Sequence, residues 1–315
     1  MLIQSQPNLS YKRSSWSLED LPLPPKGKKG WPWTVATKPF PSHQADGSEW
    51  PLISIVTPSY NQGTYLEATL RSVLLQGYPN LEYLVIDGGS SDQSVEIIRK
   101  YQKFFTYWIS ERDQGQTDAI NKGLLRTSGE ILGWINSDDV YVKGAFHKIV
   151  ETFLETPESI VVHGDRILID AQDRVFGCTV LPAFNPPHTG FIVCSETAFW
   201  RRSAMDKSGM LNSNLNFAMD LEFFSRLFLQ GKFTKLNHYI GYFRCHAASK
   251  SSTIWHVAKE ESVQIWKSLF KSEWKEEIFY TDRGKILQEF CKHPLLLGFP
   301  YIQTKIENIF FNVKS

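Results

Sequence analysis

The chain has 315 residues, of which 42% are hydrophobic and 21% are charged, and its formal net charge is +1. This length allows one large domain or two small ones, and the composition is that of an ordinary globular protein. A nearly neutral chain lacks the basic excess that is typical of nucleic-acid-binding proteins, so we expect no nucleic-acid partner.

The four cysteines, Cys178, Cys194, Cys245 and Cys291, show no CxxC spacing. This pattern predicts neither a zinc ribbon nor a disulfide framework, and it favours a reducing compartment. The N-terminus shows no basic-then-apolar signal pattern, and no stretch approaches the ~20 apolar residues of a membrane span. We therefore expect a cytoplasmic protein.

Residues 1–50 differ in composition from the rest of the chain. A run rich in Pro, Gly and Lys at 21–30 is followed by Trp31-Pro32-Trp33. Such a composition cannot build a core of its own. We predict an extended arm whose tryptophans pack on the main domain, and a segment that docks a partner is the alternative.

The folded domain begins near residue 51. Residues 52–56 are predicted to form a β-branched strand, and Pro58 should end its sheet pairing. The next segment, 64–67, matches a capping box and predicts a helix that ends at Gly77.

Three further strands are predicted at 83–86, 106–110 and 131–135, with helical segments between them. Each strand ends in a loop rich in Asp, Ser, Asn or Gly. This alternation predicts an α/β fold with a mostly parallel central sheet and helices on both faces. Because crossover connections are right-handed, the loops that follow the four strands should meet in a cleft at one edge of the sheet.

The strand at 131–135 ends in the acidic pair Asp138-Asp139. Two adjacent carboxylates repel each other, so they favour a cation between or beside them. Oxygen ligands suit Mg²⁺ or Mn²⁺, which proteins commonly share with the phosphates of a substrate. We hypothesise that this loop holds a divalent cation against a nucleotide diphosphate, and the alternative is an acidic surface turn.

Two other residues of the first half are candidates for binding. Asp87 ends the strand at 83–86 and is suited to accept hydrogen bonds from a base or ribose, or else to cap a turn. Lys122 is suited to offset the charge of a diphosphate, or else to be a solvated helix residue.

The second half of the chain is predicted to contain strands at 159–165 and 174–180, a helix from 216 to 231, strands at 234–236 and 239–243, and helical structure after 253. Asp220 lies at the start of an apolar helix, either as a general base that faces the cleft or as a simple helix cap. His246 follows a strand, either as a further metal ligand or as a structural residue.

The chain contains none of the motifs GxGxxG, GxxxxGK[ST], GxSxG, HExxH or CxxC, so the signatures of dinucleotide, P-loop, hydrolase and zinc sites are missing. Four other segments occur in order: SIVTPSYN at 54–61, VIDGGSSD at 85–92, DAINKG at 118–123 and NSDD at 136–139. With these segments the chain resembles the inverting nucleotide-diphospho-sugar glycosyltransferases of family 2, which have the GT-A fold. The resemblance runs from about residue 52 to residue 252 and is strongest to a subgroup that builds bacterial surface polysaccharides.

The resemblance implies a role for each matching residue. It implies that the donor nucleotide is bound by Thr57, Pro58, Ser59, Tyr60, Asp87, Asn121, Lys122 and Asp138. It further implies that Asp139 and His246 bind the metal and that Asp220 is the catalytic base. Two positions depart from the family pattern, because Gly88 stands where a second acidic residue is common and Met219 stands where Glu usually precedes the base.

The implied activity is metal-dependent transfer, with inversion, from a nucleotide-diphosphate sugar to a hydroxyl of a saccharide or lipid-linked saccharide, with Mn²⁺ or Mg²⁺ as cofactor. Trp200, Arg201 and Arg202 are candidates for the acceptor site, since an aromatic ring can stack on a sugar and Arg can bind a lipid diphosphate. The alternative for these three is ordinary surface and core. The tail after residue 290 is apolar and should either contact the inner membrane surface or pack on the domain.

The predicted organisation is an arm at 1–50, a GT-A domain at 51–252 and a helical extension at 253–315. Within the GT-A domain, residues 51–142 form the nucleotide-binding half and 143–252 the acceptor-binding half. One rival function is a nucleotidyltransferase, which would typically bring a Gly-rich basic loop after the first strand, and 57–63 has no Lys or Arg. Another is a catalytically silent scaffold that binds sugar nucleotides.

Overall fold

The structure is a computed structural model, and it describes residues 3–4, 15–181 and 193–271. The strands of this part of the chain are β1 (Ile3–Gln4), β2 (Ile53–Ser59), β3 (Leu81–Asp87), β4 (Tyr107–Ser110), β5 (Ile131–Trp134), β6 (Val140–Tyr141), β7 (Ser159–Ile169), β8 (Val175–Thr179), β9 (Ala198–Arg201) and β10 (Lys232–Arg244). The helices are α1 (Leu66–Leu74), α2 (Ser94–Tyr101), α3 (Gln116–Leu124), α4 (Ala145–Glu155), α5 (Arg202–Ser208), α6 (Met219–Phe228), α7 (Lys250–Thr253) and α8 (Trp255–Phe270). Short 3₁₀ turns lie at Gln102–Phe104 and Ser195–Thr197.

The strands form one sheet in the order β1-β4-β3-β2-β5-β9-β7-β10-β6, and β8 pairs with β7. Strands β4, β3, β2 and β5 are mutually parallel, and β7 is parallel to β10. Strand β9 is antiparallel to both of its neighbours, β5 and β7. The predicted α/β fold with a mostly parallel sheet is confirmed.

The core lies on both faces of this sheet. Because successive side chains of a strand point to opposite faces, Ile55 of β2 belongs to the cluster that contains α1, α2 and α4. Val56, the next residue, belongs to the cluster that contains α3, α5 and α6. The helices therefore cover both faces, as the alternation of strands and helices predicted.

Strand β2 continues through Pro58, which the sequence analysis predicted would end it. The carbonyl of Ser59 accepts a hydrogen bond from Gly88 N (2.8 Å), so the bonding groups of residue 59 face β3. Those of Pro58 face the opposite side, where the pairing with β5 has already ended at Val56. A missing N–H costs nothing at a position that has no neighbouring strand.

Two other local predictions are wrong. Helix α1 begins without a capping box, because its first turn shows no side-chain cap and Glu67 instead accepts hydrogen bonds from Lys100 (2.7 Å) and Tyr101 (2.8 Å). The two strands predicted near residues 234–243 are one strand, β10, with a register shift against β7 between Lys235 and Tyr239.

The arm packs on the domain in its described part. Trp33 is buried. The guanidinium of Arg71, on α1, donates to the carbonyls of Pro22 (2.8 Å), Pro32 (3.0 Å) and Trp33 (2.9 Å). One buried cation thus binds three carbonyls in two segments of an arm that has few regular hydrogen bonds of its own.

Replacing Arg71 by Ala is expected to lower the free energy of unfolding by about 3 kcal/mol, because three carbonyls lose a charged donor and a buried cavity is left. Urea unfolding followed by tryptophan fluorescence measures the change. Arg99→Ala, on the exposed face of α2, is the matched control. Equal stability of the two variants would contradict the anchoring role.

The apolar tail after residue 290 lies outside the described residues, so the predicted membrane contact of the tail stays a prediction. Within the described residues, the helices are too short or too polar to cross a membrane.

Candidate active site

The loops that follow β2, β3, β4 and β5 lie at one edge of the sheet. Gly88 N donates to Ser59 O (2.8 Å) and joins the ends of β3 and β2. The side chain of Gln116, at the start of α3, donates to Asn136 Oδ1 (2.7 Å) in the loop after β5. The cleft inferred from the order of strands and helices is thus built from loops that contact one another.

The residues predicted to line the nucleotide pocket differ in what they can offer to a ligand. Thr57 is buried and its hydroxyl lies 2.9 Å from that of Tyr83, inside the sheet. Pro58 is also buried. Ser59 is buried with a hydroxyl that has no partner among the described residues, whereas Tyr60 is 62% exposed. Ser59 and Tyr60 are therefore the two side chains of this loop with free bonding capacity or free surface.

Asp87 is completely buried, and its carboxylate is fully engaged in the turn that follows β3. Oδ2 accepts from Gly89 N (3.1 Å), Ser90 N (2.9 Å) and Ser110 Oγ (2.7 Å), and Oδ1 accepts from Ser90 Oγ (2.6 Å). The turn-capping alternative is thus what the geometry shows. Contact of Asp87 with a base stays a prediction.

A second carboxylate lies beside this turn, and it comes from a different strand. A Cβ on Gly88 would lie 2.5 Å from Oδ2 of Asp113, in the loop after β4. Burial raises the pKa of Asp113, and the charges of Asp118 and Asp87 raise it further. Asp113 therefore stands close to the position where the family pattern often has an acidic residue instead of Gly88. The sequence signal for it was its place in the polar loop directly after β4.

The two carboxylates of the acidic pair face different surroundings. Asp139 is buried, and its Oδ1 accepts from Arg244 N (2.9 Å). Burial, together with the charges of Asp138 and Glu196, raises the pKa of Asp139 well above its usual value. Asp138 is partly exposed, and its Oδ2 lies 3.0 Å from His246 Nε2. The structure therefore places Asp138, rather than Asp139, beside His246, and the role of Asp139 as a metal ligand stays a prediction.

Asp138 and His246 fit a divalent cation of the kind predicted. A carboxylate oxygen and an imidazole nitrogen are both acceptable ligands of Mn²⁺, and here they are already neighbours. Among the described residues, no group of three or more His, Cys, Asp and Glu side chains could hold a metal ion. A cation held by this pair would thus take its other ligands from substrate phosphates and water, which is common for Mg²⁺ and Mn²⁺ in nucleotide sites.

The buried side chain of Arg244 is hydrogen-bonded to the backbone of the acidic loop. It is 1% exposed, and its Nε donates to the carbonyl of Asp138 (2.7 Å). Its Nη1 donates to Asp173 Oδ1 (2.7 Å), and Asp173 in turn accepts from Lys28 of the arm (2.7 Å). The arm and the acidic loop are therefore linked through one buried arginine.

Asp220 is the second residue of α6 and is partly exposed. Its Oδ1 accepts from Leu221 N (2.8 Å). Burial, together with the negative charge of Glu196, raises the pKa of Asp220 to about 7, and the positive charge of Lys250 acts in the opposite direction. A carboxylate with this pKa is matched to general-base work at neutral pH.

Glu196 is a further candidate for the active site, and no motif in the sequence indicates it. It lies in the 3₁₀ turn before β9, is 2% exposed and pairs with Arg166 Nη1 (3.3 Å). Its charge raises the pKa of both Asp139 and Asp220, so it links the electrostatics of the acidic loop with those of the start of α6. Because β9 is antiparallel to β5, the start of β9 lies where β5 ends, and no local pattern in the sequence indicates that direction.

Trp200 does not lie in an acceptor site. It is completely buried, with its ring centroid 5.3 Å from that of Trp134 and 5.3 Å from that of Phe223. The alternative that it belongs to the core is what the structure shows.

Arg201 and Arg202 lie at the wrong edge of the sheet for the acceptor role. Arg201 pairs with Glu130 (2.8 Å), and Arg202 Nε donates to Gly129 O (2.7 Å), so both lie at the amino end of β5. They line a cavity of about 580 Å³ at that edge. The acceptor prediction is wrong for these residues, because antiparallel β9 runs away from the cleft and carries its last residues to the opposite edge.

Asn121 and Lys122, predicted to bind the donor, are engaged within the protein. The side-chain amide of Asn121 forms two hydrogen bonds with the backbone of Leu211. Its Nδ2 donates to Leu211 O (2.9 Å), and its Oδ1 accepts from Leu211 N (3.1 Å). Both ends of the amide are thus used within the protein, and contact of Asn121 with the donor stays a prediction. Lys122 lies 3.1 Å from carboxylate oxygens of both Glu111 and Asp118, so its charge is already balanced.

The comparison with protein families matches residues 54–207 to "Glycosyl transferase family 2". The chain is 35% identical over 108 residues to the putative teichuronic acid biosynthesis glycosyltransferase TuaG of Bacillus subtilis, which covers 33% of this chain and 43% of TuaG. An uncharacterized glycosyltransferase of Rickettsia prowazekii is 25% identical over 240 residues, covering 72% of this chain and 74% of that protein. The chain therefore spans less than half of the length of TuaG.

Two solved structures share the fold. TarS of S. aureus in complex with UDP-GlcNAc superposes with a TM-score of 0.54 at 19% identity, covering 84% of this chain and 76% of that one. The mannosyltransferase PcManGT of Pyrobaculum calidifontis, in complex with GDP-Man and Mn²⁺, gives a TM-score of 0.54 at 16% identity, covering 91% and 80%. The match over residues 54–207, together with this fold, identifies that part of the chain as a GT-A domain of glycosyl transferase family 2.

Proposed function

We propose that this chain is an inverting glycosyltransferase that moves a sugar from a nucleotide-diphosphate sugar to a hydroxyl of a saccharide or lipid-linked saccharide. The observation that carries the proposal is the electrostatic environment of Asp220. Its pKa is raised to about 7 by burial and by the charge of Glu196, and the same charge acts on Asp139 of the acidic loop, in which Asp138 lies 3.0 Å from His246. A base and a cation-binding pair are the two parts that such a displacement needs.

The relatives support the same reaction and suggest its setting. TarS was solved with UDP-GlcNAc, and PcManGT was solved with GDP-Man and Mn²⁺. TuaG is named for teichuronic acid biosynthesis. We therefore propose a nucleotide-diphosphate sugar as donor, Mn²⁺ or Mg²⁺ as cofactor, and the assembly of a surface polysaccharide as the process.

The donor would bind along the loops after β2, β3 and β5. The unpartnered hydroxyl of Ser59 and the exposed ring of Tyr60 are suited to the nucleoside, and the carboxylate of Asp113 supplies a hydrogen-bond acceptor beside Gly88. Asp138 and His246 would hold the cation, which supplies positive charge for the departing diphosphate.

In the proposed mechanism, Asp220 acts as the carboxylate. It takes the proton of the acceptor hydroxyl while that oxygen bonds to the anomeric carbon of the donor sugar. The bond between the anomeric carbon and the diphosphate oxygen breaks with its electron pair on the leaving group. Attack from the face opposite the leaving group inverts the configuration of the sugar.

Release of nucleoside diphosphate from a panel of UDP-, GDP- and dTDP-sugars, with and without Mn²⁺, tests the proposal. We expect release from one donor class and dependence on the cation. Calorimetry with the same donors separates binding from turnover. Donor binding without release, with any acceptor sugar tried, would favour the catalytically silent scaffold.

The pH dependence of turnover should follow Asp220. The carboxylate form is the active one, so turnover is expected to rise with pH through about 7 and to be lost below it. Because the charge of Lys250 lowers the pKa of Asp220, Lys250→Met should move this rise to higher pH. Lys267→Met, an exposed lysine of α8, is the control and should leave the profile in place. A profile that moves to lower pH in Lys250→Met would contradict the assignment.

A further inference from the structure

One buried carboxylate from α8 holds the loop that leads into α6. Oε1 of Glu261 accepts from Asn216 N (2.7 Å), and Oε2 accepts from Phe217 N (2.9 Å) and Ala218 N (2.7 Å). Three consecutive backbone N–H groups therefore converge on one side chain that lies more than forty residues away along the chain.

The position of this contact is what makes it relevant to the reaction. Ala218 immediately precedes α6, and Asp220 is the second residue of that helix. The N–H groups at a helix start have no partners within the helix, so an outside group that binds them fixes where the helix begins and how it is directed. Glu261 supplies that group, and its negative charge also suits the positive end of the helix dipole.

Two further contacts keep the same loop in place. Lys250 Nζ donates to the carbonyl of Asn216 (2.8 Å). Ala218 and Leu221 pack against Ile265 and Trp266 of α8 in a small separate core. Helix α8 thus contacts the start of α6 through both hydrogen bonds and apolar packing, although the sequence predicted a helical extension outside the GT-A domain.

We infer that Glu261 is a positioning residue for the general base, and that α8 is one wall of the active site. The inference rests on the proposed function, in which Asp220 removes the proton from the acceptor. A change of about 1 Å in the place of a reacting group can lower a rate by about 100-fold. Loss of Glu261 releases three N–H groups two to four residues before Asp220 and so allows such a change.

The kinetic test compares Glu261→Gln with Glu260→Gln in the full-length protein. The amide of Gln keeps the shape of the side chain, but its NH₂ group faces N–H donors and cannot accept from them. We expect kcat to fall by about 10- to 100-fold in Glu261→Gln while KM for the donor stays within about twofold. Glu260 lies next to Glu261 but is exposed, and its variant should match the wild type. Unchanged kcat in Glu261→Gln, or an equal loss of donor binding, would overturn the inference.

Amide hydrogen exchange gives a second test that does not depend on activity. In the wild type the amides of residues 216–218 should be protected, and in Glu261→Gln their exchange should be faster by about tenfold or more. Exposed wild-type amides at 216–218 would overturn the inference directly. If Glu261→Gln does not fold, Glu261→Asp, which is one methylene shorter, is measured in the same way with the same expectations.

The two tests separate the two proposals. A wild-type protein that releases no nucleotide from any donor would end the proposed function. The exchange result would still decide whether Glu261 holds the start of α6.

Discussion

Asp220→Asn is expected to lower kcat by about 100- to 10,000-fold, because an amide cannot take the proton of the acceptor hydroxyl. The substitution keeps the shape of the side chain, and the amide oxygen can still accept from Leu221 N, as Asp220 Oδ1 does. The fold and the donor site should therefore be unchanged. Nucleotide release under saturating donor measures kcat, and calorimetry measures donor affinity.

The pH dependence of turnover gives a second measurement of the role of Asp220. Wild-type turnover should rise through about pH 7 as Asp220 loses its proton, and the residual turnover of Asp220→Asn should show no such rise. Asp206→Asn, an exposed residue of α5, controls for the loss of one negative charge. Normal turnover in Asp220→Asn would remove this residue from the catalytic role. Glu196, whose charge acts on Asp220, would then be the candidate for the general base.

Asp138→Asn is expected to lower cation-dependent turnover by about 100-fold or more, since a bound cation contributes several kcal/mol to the stabilisation of a leaving diphosphate. The carboxylate of Asp138 is the one that lies 3.0 Å from His246. An Asn side chain is a weaker ligand there, so the Mn²⁺ concentration that gives half-maximal turnover should also rise. Titration of turnover with Mn²⁺ measures both effects.

Comparison of Asp138→Asn with Asp139→Asn tests which of the two carboxylates binds the cation. The sequence alone pointed to Asp139 as the metal ligand, but this carboxylate is buried and bound to Arg244 N, and its pKa is raised well above the usual value. We therefore expect the smaller effect on Mn²⁺ dependence from Asp139→Asn. The reverse order, with Asp139→Asn losing its response to Mn²⁺ and Asp138→Asn keeping it, would restore the assignment made from the motif.

The sequence by itself determined the fold class and the edge of the sheet at which the candidate site lies. Strands and helices are chosen mainly by neighbouring residues, through the alternation of apolar side chains and the glycines and polar residues that follow each strand. Parallel strands joined by right-handed crossovers then bring Ser59, Asp87 and Asp138 to the same edge. These steps need no contact between distant residues, and the structure agrees with them.

The tertiary structure alone decided which side chains of that edge are available. The antiparallel direction of β9 places Glu196 near the carboxyl end of β5 and carries Arg201 to its amino end. The bond of Arg244 to Asp139 leaves Asp138 as the carboxylate beside His246. Such outcomes depend on pairings between residues far apart in the chain, whose free energy comes from burial and hydrogen bonds in the assembled protein, and no local pattern records them.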